Sequence, residues 1–79
     1  MKKIEKSPHA RELLAVNVQD LRIAAGVTQE TVSAAGGLHR TYVSHVERQV
    51  ANVTIDNLQK LADALGVPVA RLLEAPKRN

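Results

Sequence analysis

Apolar residues in this chain recur every three or four positions, which is the spacing of one face of an α-helix. Two runs are especially clear: the first contains Leu14, Val18, Leu21 and Ala25, and the second contains Ile55, Leu58, Leu61, Ala62 and Leu65. No stretch alternates between apolar and polar residues for long enough to support a sheet. The pattern therefore predicts an all-α fold.

Capping residues divide the chain into five predicted helices. The predicted starts are Ser7 with Pro8 behind it, Thr28, His39 and Thr54, and the predicted ends are Gly26, Gly36 with Gly37, and Gly66. Gly36 and Gly37 are expected to stop the short second helix by permitting positive φ. Val32 and Ala35 are expected to face inward from that helix, and Leu38 to be a buried anchor. A fifth short helix is predicted over residues 69–74.

The chain length of 79 residues corresponds to one domain near the lower end of what folds without disulfides or metals. Residues 1–6 are expected to be a flexible charged arm, residues 7–75 the folded domain and residues 76–79 a frayed tail.

The third predicted helix separates into an apolar side and a polar side. At about 100° per residue, Arg40, Thr41, Ser44, His45 and Arg48 fall within an arc of about 140°. Tyr42, Val43 and Val46 fall on the other side. One face can therefore pack on a core while the other presents donors and acceptors, which is what a helix needs to read base edges in a DNA major groove.

Composition adds little to this picture but excludes some alternatives. The net charge of +3 mildly favours a polyanionic partner, and the absence of cysteine excludes a disulfide framework and a thiolate zinc site. Tyr42 is the one aromatic residue, so the core must be built from Leu, Val, Ile and Ala. The charged start of the chain lacks the apolar region of a signal peptide, and no apolar run approaches a membrane span of about 18 residues.

Three stretches in order resemble the lambda-repressor-like, or XRE-type, helix-turn-helix transcription regulators. They are GVTQE at 26–30, GLHRTYVSHVER at 37–48 and NVTIDNLQKLADALGVP at 52–68. The sequence at residues 39–48 is especially similar to that of controller proteins of restriction–modification systems. The resemblance implies a five-helix domain that binds specific duplex DNA as a homodimer on a roughly palindromic operator.

Residues expected to contact DNA bases lie on the polar side of the third helix. Arg40 can bond to guanine O6 and N7, and Thr41 and Ser44 can donate to or accept from bases. His45 lies on the same face, where it could read a base or touch phosphate. The solvated-surface alternative stays open for each of these side chains.

Phosphate contacts and an ion pair are also expected. The resemblance implies that Gln29 contacts a phosphate and braces the third helix, and that Glu47 pairs with Arg22. Arg48, Asn52 and the Tyr42 hydroxyl are further phosphate candidates, although Tyr42 on the apolar side is more often a packing residue. The stretch from Gln49 to Asn52 is less basic than its counterpart in controller proteins.

A dimer interface is expected on the fifth helix, because a single reading helix covers only a few base pairs. Its predicted members are Leu65, Val67, Val69, Leu72 and Leu73.

The competing functions are an antitoxin or phage-type repressor with a protein partner, and a helix-turn-helix module that contacts proteins without binding DNA. No catalytic constellation is visible, since Glu47 has no partner base or nucleophile at supporting spacing. No metal is expected, because the histidines lack ligand spacing. No cofactor or small-molecule effector is expected either. The expected location is the cytoplasm, in association with the nucleoid.

Overall fold

The computed structural model describes residues 9–76. Four α-helices follow one another as α1 (Ala10–Ala25), α2 (Gln29–Ala35), α3 (Tyr42–Glu47) and α4 (Ile55–Leu65), and a 3₁₀ helix (Val69–Leu73) comes last. Residues 9–76 contain no strand, so the all-α prediction is confirmed. The fifth predicted α-helix is a 3₁₀ helix, which is the usual form of so short a segment after a proline.

Helix α1 begins later than the sequence indicates. Its N-cap is His9, whose backbone amide donates to Oε1 of Glu12 at 3.2 Å, and its first helical residue is Ala10. The predicted cap Ser7 and the predicted first helical residue Pro8 both lie outside the described residues, in which the helix begins at Ala10. The helix ends as expected at Gly26, which has φ 71°.

Helices α2 and α4 start and stop where the sequence predicts. Thr28 Oγ1 accepts the Thr31 amide, and Thr54 Oγ1 accepts the Asn57 amide. Gly66 ends α4 with φ 70°. Such side-chain caps satisfy backbone donors that a helix cannot pair internally.

The two glycines after α2 have different tasks. Gly37 adopts φ 68°, whereas Gly36 has φ −85°. A Cβ on Gly36 would lie 3.2 Å from the Lys60 carbonyl oxygen and 3.2 Å from Leu38 Cδ1. Positive φ is therefore needed at Gly37 alone, and Gly36 permits the close approach of α2 to α4.

The core lies between the four α-helices and the 3₁₀ helix, with Val32 contributed by α2. Its fully buried large side chains are Val18, Val43, Val46, Leu61 and Leu72. Asn17 on α1 is also buried, and its Nδ2 donates to the carbonyls of Leu72 at 2.9 Å and Glu74 at 2.8 Å. These bonds fix the end of the described chain against α1.

Several residues predicted to face inward do not. Ala25 and Ala35 are exposed, and Ile55 is 76% exposed because it occupies the first position of α4. Leu38 is half-buried. Ser33 takes the inward position on α2 that the apolar pattern gave to Ala35.

Candidate nucleic-acid interface

Helices α2 and α3 are joined through a buried hydroxyl. Ser33 on α2 is fully buried, and its Oγ accepts the backbone amide of Val43 at 3.2 Å. Val43 and Val46 point from α3 into the core, with exposures of 0% and 2%. Because the inner face of α3 is occupied in this way, the opposite face is left for solvent or a partner.

A mostly buried ion pair holds α3 to the first two helices. Arg22 on α1 donates from Nε to Glu47 Oε2 at 2.7 Å and from Nη2 to Oε1 at 3.0 Å. Gln29 Nε2 on α2 donates to the same Oε1 at 3.0 Å. The Arg22 and Glu47 side chains are 15% and 6% exposed. One carboxylate therefore joins three helices.

Arg22 also anchors the loop between α1 and α2, where its Nη1 donates to the Val27 carbonyl at 3.2 Å. Hydrogen bonding to Glu47 raises the pKa of Arg22, partial burial opposes that rise, and the charge of Glu47 adds to it. A base with a raised pKa contributes stability that is lost only as the pH rises through the folded-state value. Because arginine stays protonated below about pH 12, this contribution is constant around neutral pH.

Helix α3 is shorter than the sequence indicates. His39 does not open it: α3 begins at Tyr42, and Thr41 is its N-cap. The Tyr42 amide donates to the His39 carbonyl at 2.9 Å, and the Thr41 amide donates to His39 Nδ1 at 3.2 Å. These bonds close a turn, so Arg40 and Thr41 precede α3.

The end of α3 is shortened as well. Arg48 is its C-cap, and Gln49 adopts φ 64°. The Val50 amide donates to the His45 carbonyl at 3.0 Å. The polar side chains predicted to share one helix therefore lie on different elements. Arg40 and Thr41 lie in the turn, Ser44 and His45 lie on α3, and Arg48 is the C-cap.

A cleft of about 330 Å³ lies between α2 and the start of α3, and its lining residues are Gln29, Glu30, Arg40, Thr41 and Ser44. Arg40 and Thr41 are exposed, and Ser44 is half-buried. The lining offers hydrogen-bond donors, acceptors and both signs of charge, without an aromatic or large aliphatic side chain. Such a surface suits polar groups such as base edges and phosphates. His45 is half-buried on α3 and is not among the lining residues.

The residues predicted to contact phosphate are dispersed. Arg48 and Asn52 are exposed beyond the end of α3, whereas Gln29 is partly engaged with Glu47. Tyr42 is half-buried, and its hydroxyl accepts from Asn57 Nδ2 at 3.4 Å. A tyrosine hydroxyl that accepts one bond can still donate its own proton, so Tyr42 keeps a donor for phosphate.

The predicted dimer surface needs one correction. Leu72 is 0% exposed and belongs to the core, because the 3₁₀ helix turns it towards α1. Leu73 is 36% exposed, and Leu65, Val67 and Val69 are half-buried. These four residues can still contribute to an interface, and Leu72 cannot.

Sequence reasoning missed three features of the site. Ser33 carried no signal, because a serine in a short amphipathic helix is usually on the surface. Glu30 lines the cleft, and an acidic residue in the first turn of a helix is usually explained by the helix dipole alone. The ring contact of His39 had a weak signal, since a side-chain acceptor two residues before an amide is the arrangement of an Asx-turn.

The described residues contain no group of three His, Cys, Asp or Glu side chains that could hold a metal ion. Between residues 9 and 76, no helix combines the length and apolar character needed to cross a membrane.

Comparison with known proteins agrees with this geometry. The helix-turn-helix family model matches residues 18–72. A hypothetical transcription factor of Neisseria meningitidis is 43% identical over 69 residues, which are 87% of this chain and 65% of that protein. The control protein C.SmaI of Serratia marcescens is 44% identical over 63 residues, covering 80% of this chain and 75% of the relative.

The similarity extends to three dimensions. The crystal structure of a hypothetical transcription factor from Neisseria superposes with a TM-score of 0.85 at 38% identity, covering 96% of this chain and 87% of that one. The chain spans about two thirds of the Neisseria meningitidis relative's own length.

Proposed function

The chain belongs to the helix-turn-helix family of transcription regulators, and we propose that it reads a specific duplex DNA sequence through the cleft between α2 and α3. The observation that carries the proposal is the pairing of a fixed scaffold with a polar surface. Arg40, Thr41 and Ser44 stand at the cleft, while the Arg22–Glu47–Gln29 network and Val43 hold α3 from behind.

Arg40 reads guanine in this proposal. Its side chain is exposed at the cleft, and a guanidinium can bond to O6 and N7 of guanine together. Thr41, Ser44 and His45 contribute further base contacts from the turn and from α3. Gln29, Tyr42, Arg48 and Asn52 contact phosphates and set the register of the protein on DNA.

A homodimer on a roughly palindromic operator follows from the small reading surface. Helix α3 has 6 residues, so one copy covers few base pairs. In a two-fold dimer the same patch meets itself, and we place it on Leu65, Val67, Val69 and Leu73. The two copies of α3 would then lie about 34 Å apart, one turn of DNA.

The regulatory role that we propose is that of a restriction–modification controller, which acts in the cytoplasm by occupying DNA near a promoter. The similarity to C.SmaI, a control protein, supports this choice. A methyltransferase or endonuclease gene beside the coding sequence would support it further. A toxin that co-purifies with the chain would instead indicate an antitoxin.

Selection of bound duplexes from a random pool tests the proposed function. We expect one palindromic consensus, with an affinity that falls as salt is raised because phosphate contacts release counterions. Recovery of bound duplexes that share no consensus, or binding that does not depend on salt, would contradict the proposed function.

A matched pair of arginine variants then tests base reading. Arg40→Ala should cost about 1–3 kcal/mol on the selected site and relax preference at one base pair in each half-site. Arg48→Ala removes another exposed arginine and should weaken binding to selected and scrambled duplexes alike. If Arg40→Ala also loses the same affinity for both duplexes, Arg40 contacts phosphate instead of a base.

A further inference from the structure

One ring nitrogen of His39 contacts two groups of Thr41. Nδ1 lies 3.2 Å from the Thr41 backbone nitrogen, whose hydrogen points at it, and 2.9 Å from Thr41 Oγ1. A backbone N–H can donate and cannot accept, so Nδ1 must be the acceptor and carries no proton. The geometry therefore assigns His39 as a neutral imidazole with its proton on Nε2.

This assignment gives the Thr41 hydroxyl a direction. Since Nδ1 is an acceptor, the hydroxyl forms the 2.9 Å contact by donating its hydrogen to the ring, where it shares the one Nδ1 lone pair with the Thr41 amide. Its lone pairs are then left for an outside donor. Thr41 is exposed at the cleft, so these lone pairs are available to an amino group on a base edge, such as adenine N6 or cytosine N4.

We infer that His39 is a specificity-determining positioning residue, which holds the Arg40–Thr41 turn and makes the Thr41 hydroxyl an acceptor towards DNA. The inference rests on the proposed function, because it assumes that the cleft beside α3 reads bases. His39 itself does not line that cleft. It acts through Thr41, in the way that an Asx side chain fixes the backbone two residues further along.

A proton on Nδ1 would reverse the arrangement. The Thr41 amide would lose its acceptor, and the ring would become a donor to Oγ1. The hydroxyl hydrogen would then be free to donate to a base acceptor, such as guanine O6 or thymine O4. Arg40 and Glu30 are the charged residues that line this cleft, and α3 carries the titratable side chains of Tyr42, His45 and Glu47.

Nuclear magnetic resonance of the free protein tests the ring assignment without DNA. Long-range ¹H–¹⁵N spectra at about pH 8 should show His39 Nδ1 as an unprotonated nitrogen and Nε2 as the protonated one. The Thr41 amide resonance should change together with the His39 ring resonances as the pH is lowered, because the ring nitrogen is its acceptor. A protonated Nδ1 at pH 8 overturns the inference. A Thr41 amide resonance that does not change with the His39 ring resonances overturns it as well.

Two variants of His39 test its effect on DNA reading. Asn places an oxygen acceptor where Nδ1 stands and cannot be protonated there, whereas Gln places its acceptor one carbon further out. We therefore expect His39→Asn to bind the selected duplex like the wild type at pH 8, and His39→Gln to bind about three- to tenfold more weakly. Circular dichroism of both variants should match the wild type, since His39 is exposed.

The base pair read by Thr41 is the one at which Thr41→Ala loses discrimination. At this base pair the wild type should prefer an amino group over a keto group about three- to tenfold at pH 8. That preference should shrink or reverse at a pH at which the spectra show a protonated His39 ring, while His39→Asn keeps it at that pH and at pH 8. Because both proteins retain His9 and His45, the difference between their profiles reports His39 alone.

Equal pH profiles for the wild type and His39→Asn, or equal affinities for the Asn and Gln variants, overturn the inference while leaving the proposed function intact. A wild type that selects no duplex overturns the proposed function and the role of His39 in DNA reading together. In that case the spectra of the free protein still decide whether the ring holds the turn.

Discussion

The segment from residue 39 to residue 50, which we call the reading segment, begins differently from the helices that surround it. Helices α2 and α4 start at Thr28 and Thr54, which have nearly equal backbone angles (φ −82° and −81°, ψ 164°) and cap their helices with Oγ1. Thr41 starts α3 with φ −96° and ψ 0°, and its side chain makes no cap bond. Threonine therefore caps the helix at the starts of α2 and α4, whereas at the start of α3 its side chain makes no cap bond and is exposed.

The ends of the helices differ in the same way. Helices α1 and α4 end at Gly26 and Gly66, which adopt left-handed backbone angles at no steric cost. The turn after α3 places Gln49 in that region, with φ 64°. A non-glycine residue is strained there. The reading segment therefore departs from local preference at its start and at its end, as functional sites commonly do.

This difference teaches where the stability of the reading segment comes from. A six-residue helix is too short to persist alone in water, even with good caps. Long-range contacts hold it instead: the Ser33–Val43 bond, the Arg22–Glu47 pair and the buried side chains of Val43 and Val46. The surrounding helices, which we call the frame, combine such contacts with local caps. Substitutions should separate these two kinds of support.

The largest effect is expected in the frame, at Leu72. Leu72→Glu places a charge at a site that is 0% exposed and removes a leucine from the core. Loss of the leucine alone costs about 2–5 kcal/mol, and burial of the carboxylate adds to it. Because small domains have about 5–15 kcal/mol in total, we expect an unfolded protein by circular dichroism.

Leu73→Glu is the matched control. Leu73 is 36% exposed, so the same change should leave the fold of each protomer intact by circular dichroism. If the proposed dimer uses Leu73, sedimentation should show a folded monomer with weakened DNA binding. A folded Leu72→Glu protein would contradict the burial, and a dimeric Leu73→Glu protein would contradict the interface.

The next largest effect concerns the contact between the frame and the reading segment. Glu47→Ala leaves the Arg22 guanidinium mostly buried without its partner and removes an acceptor from Gln29. Stranding a buried charge costs about 3–5 kcal/mol. Chemical denaturation of the wild type and variant measures the difference in the free energy of unfolding.

A second ion pair provides the control for Glu47. Arg71 and Glu74 lie 4.0 Å apart, with side chains 36% and 53% exposed. Exposed pairs contribute about 0–1 kcal/mol, so Glu74→Ala should change stability little. Similar losses for Glu47→Ala and Glu74→Ala would show that the Arg22–Glu47 pair is not a special support for α3.

Sequence alone predicted the frame better than the reading segment, for a physical reason. The frame obeys local rules, so Thr28, Thr54, Gly26 and Gly66 marked its helix ends correctly. The start of α3 is preceded by a turn in which the His39 ring accepts the Thr41 amide and the His39 carbonyl accepts the Tyr42 amide. A helical wheel cannot represent such a turn, and so it extended α3 back to His39.

The fifth element illustrates a second limit. Apolar spacing identifies Val69, Leu72 and Leu73 as an amphipathic segment, but spacing does not say what covers its face. In the structure Asn17 ties the Leu72 and Glu74 carbonyls to α1, which turns Leu72 inward and leaves Leu73 at the surface. A contact across 55 positions of the chain leaves no mark in a local pattern.

Two threonine substitutions sharpen the comparison of helix starts. Thr54→Ala removes the bond to the Asn57 amide and should lower stability by about 1 kcal/mol. Thr41→Ala removes no cap bond, so its stability should stay within about 0.5 kcal/mol of the wild type. Its DNA discrimination should fall instead. Equal stability losses would mean that Thr41 caps α3 after all.

A small effect of the opposite sign, a gain in stability, is expected at Gln49. Gln49→Gly relieves the left-handed strain at φ 64°, which costs an ordinary residue about 1–2 kcal/mol, but it adds about 0.5–1 kcal/mol of backbone entropy in the unfolded chain. The net gain should be about 0.5–1 kcal/mol, or a few degrees in melting temperature. Gln19→Gly, the same change at an exposed position within α1, should instead cost about 1 kcal/mol. Opposite signs for the two variants would locate strain in the reading segment. A loss at both positions would show that the turn after α3 carries none, and that the departure of Gln49 from the glycine pattern has no energetic meaning.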